Sequence, residues 1–268
     1  MQTEPQTAHF GKHLREWRQR RRMSQLELAL DAEVSARHLS FVETGRSQPS
    51  REMVLRLAER LEVPLRERNV LLSAAGFAPV FPERGIDDPS LRSAREAVGL
   101  VLKGHEPYPA LAIDRHWTLV AANTALPPLL AGLPQTLMEP PVNVLRLSLH
   151  PDGLSSRIVN LPQWRAHLLE RLRRQVELTA DPVLEALLRE LQGYPAPRLA
   201  GPGIRAQAFD VVVPLKLRVG DHILSFISTT TIFGTPQEIT LSELALETFF
   251  PADAATGEIL RASGRNGA

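Results

Sequence analysis

The sequence predicts an all-α N-terminal domain of five helices, over residues 1–76, followed by an α+β domain over 91–256. Three observations predict this order. Apolar residues recur at helical spacing from Phe10 to Gly76, interrupted only by short capped breaks. The stretch FAPVFPERGIDDPS then brings three prolines and no periodicity, which marks 77–90 as a linker. Beyond it, amphipathic helical stretches alternate with runs rich in Val, Ile, Thr and Phe. A length of 268 residues suits two domains of roughly 100 to 200 residues each.

In the first domain, Phe10, Leu14 and Trp17 give helix one a buried stripe. Ser24 precedes QLELALDA with Glu27 three residues on, a capping box that starts helix two near Gln25. Ser35 caps a third helix over 35–44, which Gly45 ends in a left-handed conformation. Ser50 caps the fourth helix, whose apolar face is Met53, Val54, Leu57, Ala58 and Leu61. Pro64 opens the fifth, and Gly76 closes it.

In the second domain a helix is expected over 91–103, then a hairpin in PALAIDRHWTLVAAN that turns at Asp114 and Arg115. Amphipathic helices follow over 161–178 and 181–191. From Phe209 the pattern becomes strand: DVVVPLKLRV, a Gly220-Asp221 turn, HILSFISTTTIF, then EITLSELALETFF. Residues 257–268 are small and polar, and read as a flexible tail.

Composition removes several functions. With no cysteine there is no disulfide framework, thiolate metal site or thiol nucleophile, and the remaining fit is a cytoplasmic protein. The N-terminus lacks an apolar core for a secretion signal, and no apolar run reaches the ~18 residues of a membrane span. The net charge of +1 conceals an asymmetry. Residues 1–76 carry 13 Lys and Arg against 10 Asp and Glu, with five arginines between Arg15 and Arg22, a patch suited to a polyanion.

Where the third helix points suggests what the first domain does. With Leu39 and Val42 facing inward, Ala36, Arg37, Ser40 and Phe41 face out. Their small, singly cationic surface suits a DNA major groove about 12 Å wide, where arginine reads guanine. The arrangement is a helix-turn-helix, with Arg37 as the principal base-reading residue and Ser35 at the helix start. Gln25, at the first turn of helix two, is a candidate phosphate ligand, as are Arg46 and Ser47 after helix three. Gln25 could instead be a surface residue, and Phe41 part of an interface core. Glu43 is expected to be structural, paired with Arg18.

An enzymatic reading of the second domain finds little support. His150, Asp152 and Asn160 lie near one another in sequence, but HPDG reads as a turn. The histidines are scattered apart from His9 and His13, and there is no glycine-rich phosphate loop. No catalytic residue, metal site or cofactor is assigned. Trp117 and Phe226, read as strand residues, and Trp164 and Leu168, on a helix able to cover them, are candidate lining residues of an apolar pocket. A plain core is the alternative.

Residues 12–76, from KHLREWRQRRRMSQLELALDAEV through SARHLSFVETGRSQPS to LLSAAG, resemble the Xre/Cro family of helix-turn-helix regulators. The shared features are Ser24-Gln25, the small Ala29, Ser35, and Glu43 with Gly45; Glu33 departs where many members have glycine. PALAIDRHWTLVAAN, NVLRLSLHPDGLSSRIVN, FDVVVPL and FGTPQEITLSELALETFFPAD resemble the methylenomycin-regulator-like family. That likeness implies a PAS-like ligand-binding domain: a five-stranded antiparallel sheet with helices, enclosing an apolar cavity for a small apolar, fatty-acid-like ligand.

The expectation is therefore a transcriptional regulator that binds double-stranded DNA as a homodimer on an inverted repeat, with no membrane insertion and with ligand-modulated DNA binding. The alternative keeps the DNA-binding domain and makes the second domain a dimerisation or protein-docking module.

Overall fold

The computed structural model describes residues 6–195, 212–234 and 236–266. The chain forms two compact units. The first comprises residues up to Arg84 with Glu177–Thr179 and Pro236–Ser242; the second is the remainder from Gly85 onward.

The first unit contains α1 (Gln6–Arg20), α2 (Gln25–Asp31), α3 (Ala36–Glu43), α4 (Arg51–Arg60) and α5 (Leu65–Ala74). The starts of α2, α3 and α4 follow from local chemistry. The Ser24 hydroxyl accepts from the Glu27 N–H at 3.1 Å, while the Glu27 carboxylate accepts from the Ser24 N–H at 2.6 Å. Ser35 accepts from His38 N–H at 3.1 Å and Ser50 from Met53 N–H at 3.2 Å. Phe10, Leu14 and Trp17 pack with Leu28, Leu39, Val42, Val54, Leu57 and Leu72 in one core.

The turns after α2 and α3 both pass through left-handed backbone. Gly45 takes it at φ 73°, whereas Glu33 takes it at φ 55° with a side chain attached. Gly11 is needed for another reason: a Cβ there would stand 2.5 Å from the Glu43 carbonyl oxygen. The α1 backbone therefore runs directly against the end of α3.

The first half of the expected linker is not a free connector. The Asn69 side chain of α5 accepts from Val80 and Phe81 N–H and donates to the Phe81 carbonyl at 2.7 Å. Residues 77–84 accordingly belong to the first unit.

The second unit begins with a 3-10 turn at Pro89–Leu91 and α6 (Arg92–Gly104). There follow β1 (Ala110–Ile113), β2 (Leu119–Ala122), α7 (Pro127–Leu130), α8 (Gln135–Met138) and α9 (Val144–Leu149). Next come α10 (Leu161–Thr179), α11 (Pro182–Gly193), β3 (Leu215–Val219) and β4 (His222–Ile232). After α12 (Ile239–Ser242), which belongs to the first unit, come β5 (Ala245–Pro251) and α13 (Ala254–Asn266). The five strands form one antiparallel sheet in the order β2-β1-β5-β4-β3. One core holds Leu111 and Phe226 of the sheet with Leu145 of α9, Trp164, Leu168 and Leu172 of α10, and Leu184 and Leu187 of α11.

Four further expectations need correction. Trp117 is not a strand residue: Asp114 accepts from His116 and Thr118 N–H, each at 2.8 Å, and the longer turn leaves Trp117 at φ 66°. The strand expected from Phe209 begins only at Leu215; Phe209, Asp210 and Val211 lie outside the described residues, and Pro214 has no N–H to give a ladder. In EITLSELALETFF the first turn is the helix α12, because the Glu238 carboxylate accepts from Leu241 N–H at 2.8 Å.

The last correction concerns residues 257–268, expected to be a flexible tail. As far as Asn266 they are helical, within α13. Asp253 accepts from Thr256 N–H at 2.7 Å, and Thr256 and Leu260 are buried four residues apart. Three inward positions, Thr256, Gly257 and Leu260, are too few among small residues to register as a periodic pattern, yet they seat the helix.

Candidate functional site

The first candidate surface is the exposed side of α3. Leu39 and Val42 are fully buried, Arg37 and the cap Ser35 are exposed, and Ala36, Ser40 and Phe41 are half-buried. The Arg37 guanidinium lies over the Phe41 ring, 5.4 Å from its centroid. Phe41 is thus neither plain core nor free surface: its ring supports the cation.

After α3 the chain folds back. The Phe41 carbonyl accepts from Arg46 N–H at 2.8 Å and Ser47 N–H at 3.2 Å. These backbone donors are spent within the fold, whereas the Arg46 side chain is exposed and Ser47 is half-buried.

Behind the surface, Arg18 holds Glu43 by two parallel bonds, Nε to Oε1 at 2.6 Å and Nη2 to Oε2 at 2.9 Å. The Arg18 guanidinium also donates to the Met23 carbonyl at 2.8 Å. Gln25 joins the group, its amide donating to Glu43 Oε2 at 2.7 Å, and Arg15 Nε stands 3.5 Å from the same oxygen. Burial pushes the Glu43 carboxyl up, but the bonds from Arg18 and Gln25 and the charges of Arg18 and Arg15 together hold it below the ordinary range. One amide proton of Gln25 is therefore committed to fixing the start of α2 against the end of α3. Sequence spacing revealed the Arg18 pair but not the Gln25 bond, since nothing local in QLELALDA points at Glu43.

The arginine run divides by task. Arg18 is buried on Glu43, and Arg21 donates to the carbonyls of Leu61 at 2.8 Å and Glu62 at 3.0 Å, closing the end of α4. Arg15, Arg20 and Arg22 are exposed.

The second candidate site is a cavity of about 100 Å³ between the sheet and its helices. Trp117, Trp164, Leu168 and Phe226 all line it, with further aliphatic walls from Leu111, Leu145 and Leu217. Both indoles are pinned at their N–H: Trp117 to Gln175 Oε1 at 2.8 Å, Trp164 to Ser148 Oγ at 2.9 Å. The polar part of the wall was not legible in the sequence. Arg171, Ser228 and Glu247 reach the cavity, and Arg171 lies over the Trp117 ring at 4.6 Å. His167, stacked on Trp164 at 5.5 Å, has its imidazole pushed down by burial and further by the Arg171 charge.

Two of the residues weighed for hydrolysis stay together, His150 Nδ1 accepting from the Asp152 N–H at 3.1 Å within the turn, while Asn160 is used elsewhere. The His150 ring meets Tyr194 edge to face, Asp152 is exposed, and Asn160 donates to the Pro214 carbonyl at 2.8 Å. Among the described residues no cluster of metal-ligating side chains occurs, and no helix is long and apolar enough to cross a membrane.

Residues 94–262 match the family described as MmyB-like transcription regulator ligand binding domain. The chain belongs to that family. Residues 14–68 match the helix-turn-helix family. Together the two matches make this MmyB-like chain a DNA-binding transcription regulator with a C-terminal ligand-binding domain.

Among solved structures, the restriction-modification controller protein C.AhdI from Aeromonas hydrophila is similar at 32% identity, over 23% of this chain and 94% of that one, with a TM-score of 0.22. The clp gene regulator ClgR from Corynebacterium glutamicum is similar at 25% identity, over 39% of this chain and 97% of that one, with a TM-score of 0.25. No curated protein matches the chain.

Proposed function

We propose that this MmyB-like regulator acts in the cytoplasm as a homodimer on an inverted-repeat operator, and that a small apolar, fatty-acid-like ligand in its cavity modulates DNA binding. Arg37, braced on Phe41, is assigned to base reading. Ala36, Ser40 and Phe41 meet the groove beside it, while Ser35, Gln25, Arg46 and Ser47 position the phosphates. Two copies of α3 then enter successive major grooves about 34 Å apart.

The observation that carries the ligand reading is the cavity itself, apolar on nearly all sides and walled by two hydrogen-bonded indoles. A ligand there alters DNA binding only so far as it binds the two arrangements of the dimer with different affinity. DNA selection from a genomic library, with and without lipid extract, tests both parts together. The reading predicts a palindromic site whose recovery changes with extract. A site without two-fold symmetry sinks the dimer geometry, and recovery indifferent to extract sinks the ligand role.

A further inference from the structure

The apolar cavity has one charged feature in its wall, and its composition restricts what can occupy the cavity. Arg171 of α10 is held on three sides. Its guanidinium lies over the Trp117 ring, its Nη2 donates to Thr230 Oγ1 at 2.7 Å, and the same nitrogen bonds Glu247. Thr230 in turn donates to Glu247 at 2.9 Å. Glu247 is almost fully buried and shares the cavity wall with Arg171. Both bonds leave from one nitrogen. Among the described residues, the protons on Nε and Nη1 have no acceptor.

Resting on the reading that the cavity takes an apolar ligand, we propose that Arg171 is its polar anchor. We further propose that the Arg171 and Glu247 pair narrows the fatty-acid-like ligand to an apolar chain ending in an uncharged hydrogen-bond acceptor, such as an ester, lactone or amide carbonyl, rather than in a free carboxylate. Charge count sets the preference. Arg171 is already neutralised by Glu247, so the pair offers donors without a net positive charge. A carbonyl oxygen accepts from those donors and brings nothing else. A carboxylate loses its hydration on entry and sets a second negative charge near Glu247 in a largely apolar cavity, where like charges disfavour each other. The stacking on Trp117 fixes the donors in advance, so little ordering is left for the ligand to bring about.

Calorimetric titration of the intact chain at neutral pH with octanoic acid, methyl octanoate and octanamide tests the proposal. Both uncharged probes should bind at least about tenfold more tightly than the acid. Glu247→Gln removes the neutralising charge and should narrow or reverse that ranking, while Arg171→Met should weaken the binding of both uncharged probes. Acid binding to the wild type as tightly as ester overturns the selectivity proposed here while leaving an apolar ligand in place. An unchanged ranking in a folded Glu247→Gln variant also overturns it. Absence of binding by all three probes overturns the ligand reading together with the anchor. The wild-type ranking decides the matter alone if either variant does not fold.

Discussion

Arg18 and Glu43, 25 residues apart in sequence, form a buried bidentate pair that ties α1 to the end of α3. Glu43 lies immediately beyond the surface assigned to base reading, so its pairing sets how α3 sits on the domain. Removing one partner of a buried pair leaves the other uncompensated, and Arg18→Ala should destabilise the first unit by about 3 to 5 kcal/mol. Chemical denaturation of the wild type and variant measures it; a loss under about 1 kcal/mol would mean that water reaches Glu43 freely.

The same pair sets an acid limit. The folded Glu43 carboxyl is held below the ordinary glutamate value of 4.5. Its contribution is therefore complete above that pH and is lost as pH falls through the lowered folded value. Acid titration of the first unit's helical signal should show this component in the wild type and lack it in Glu43→Gln. Identical acid profiles in the two proteins contradict the assignment.

Two glycine substitutions should move stability in opposite directions. At Gly11 a methyl group meets the Glu43 carbonyl oxygen at 2.5 Å, so Gly11→Ala forces backbone apart and should cost about 1 to 3 kcal/mol. Gly99, exposed in α6, has nothing within 4 Å of the added carbon. Gly99→Ala should stabilise by up to about 1 kcal/mol through helix propensity. Thermal melts of the pair decide whether close backbone contact, rather than composition, governs Gly11.

For DNA, Arg37→Ala should cost about 1 to 3 kcal/mol of discrimination at one base position in each half-site, with other positions unaffected. Phe41→Ala should act in the same sense but less strongly, because it removes the ring beneath the guanidinium. Binding assays against single-mismatch operators read both effects. Uniform weakening across all sequences would reassign Arg37 to the phosphate backbone.

In the second unit, Leu260 of α13 is buried in the core that includes the cavity residues. Leu260→Ala removes that apolar contact and leaves a void the surroundings close only in part, so it should destabilise the unit by about 2 to 5 kcal/mol. A neutral result in urea denaturation would return 257–268 to the status of a dispensable tail.

What the sequence by itself determined was local. Ser24, Ser35 and Ser50 each set a helix start, Gly45 set a helix end, and the spacing of Phe10, Leu14 and Trp17 set a buried face, since caps and periodicity act within four residues or so. The four aromatic and aliphatic residues named for the pocket were legible as apolar, but only the packed sheet and helices made them walls of one cavity. Tertiary structure alone decided the rest. It set Gly11 against the end of α3, turned Gln25 onto Glu43, seated α13 through Thr256 and Leu260, and placed Arg171 beside Glu247, 76 residues away in the chain. Those relationships depend on approach between distant segments, and a contact across such a separation leaves no period, cap or turn signal for a single sequence to display.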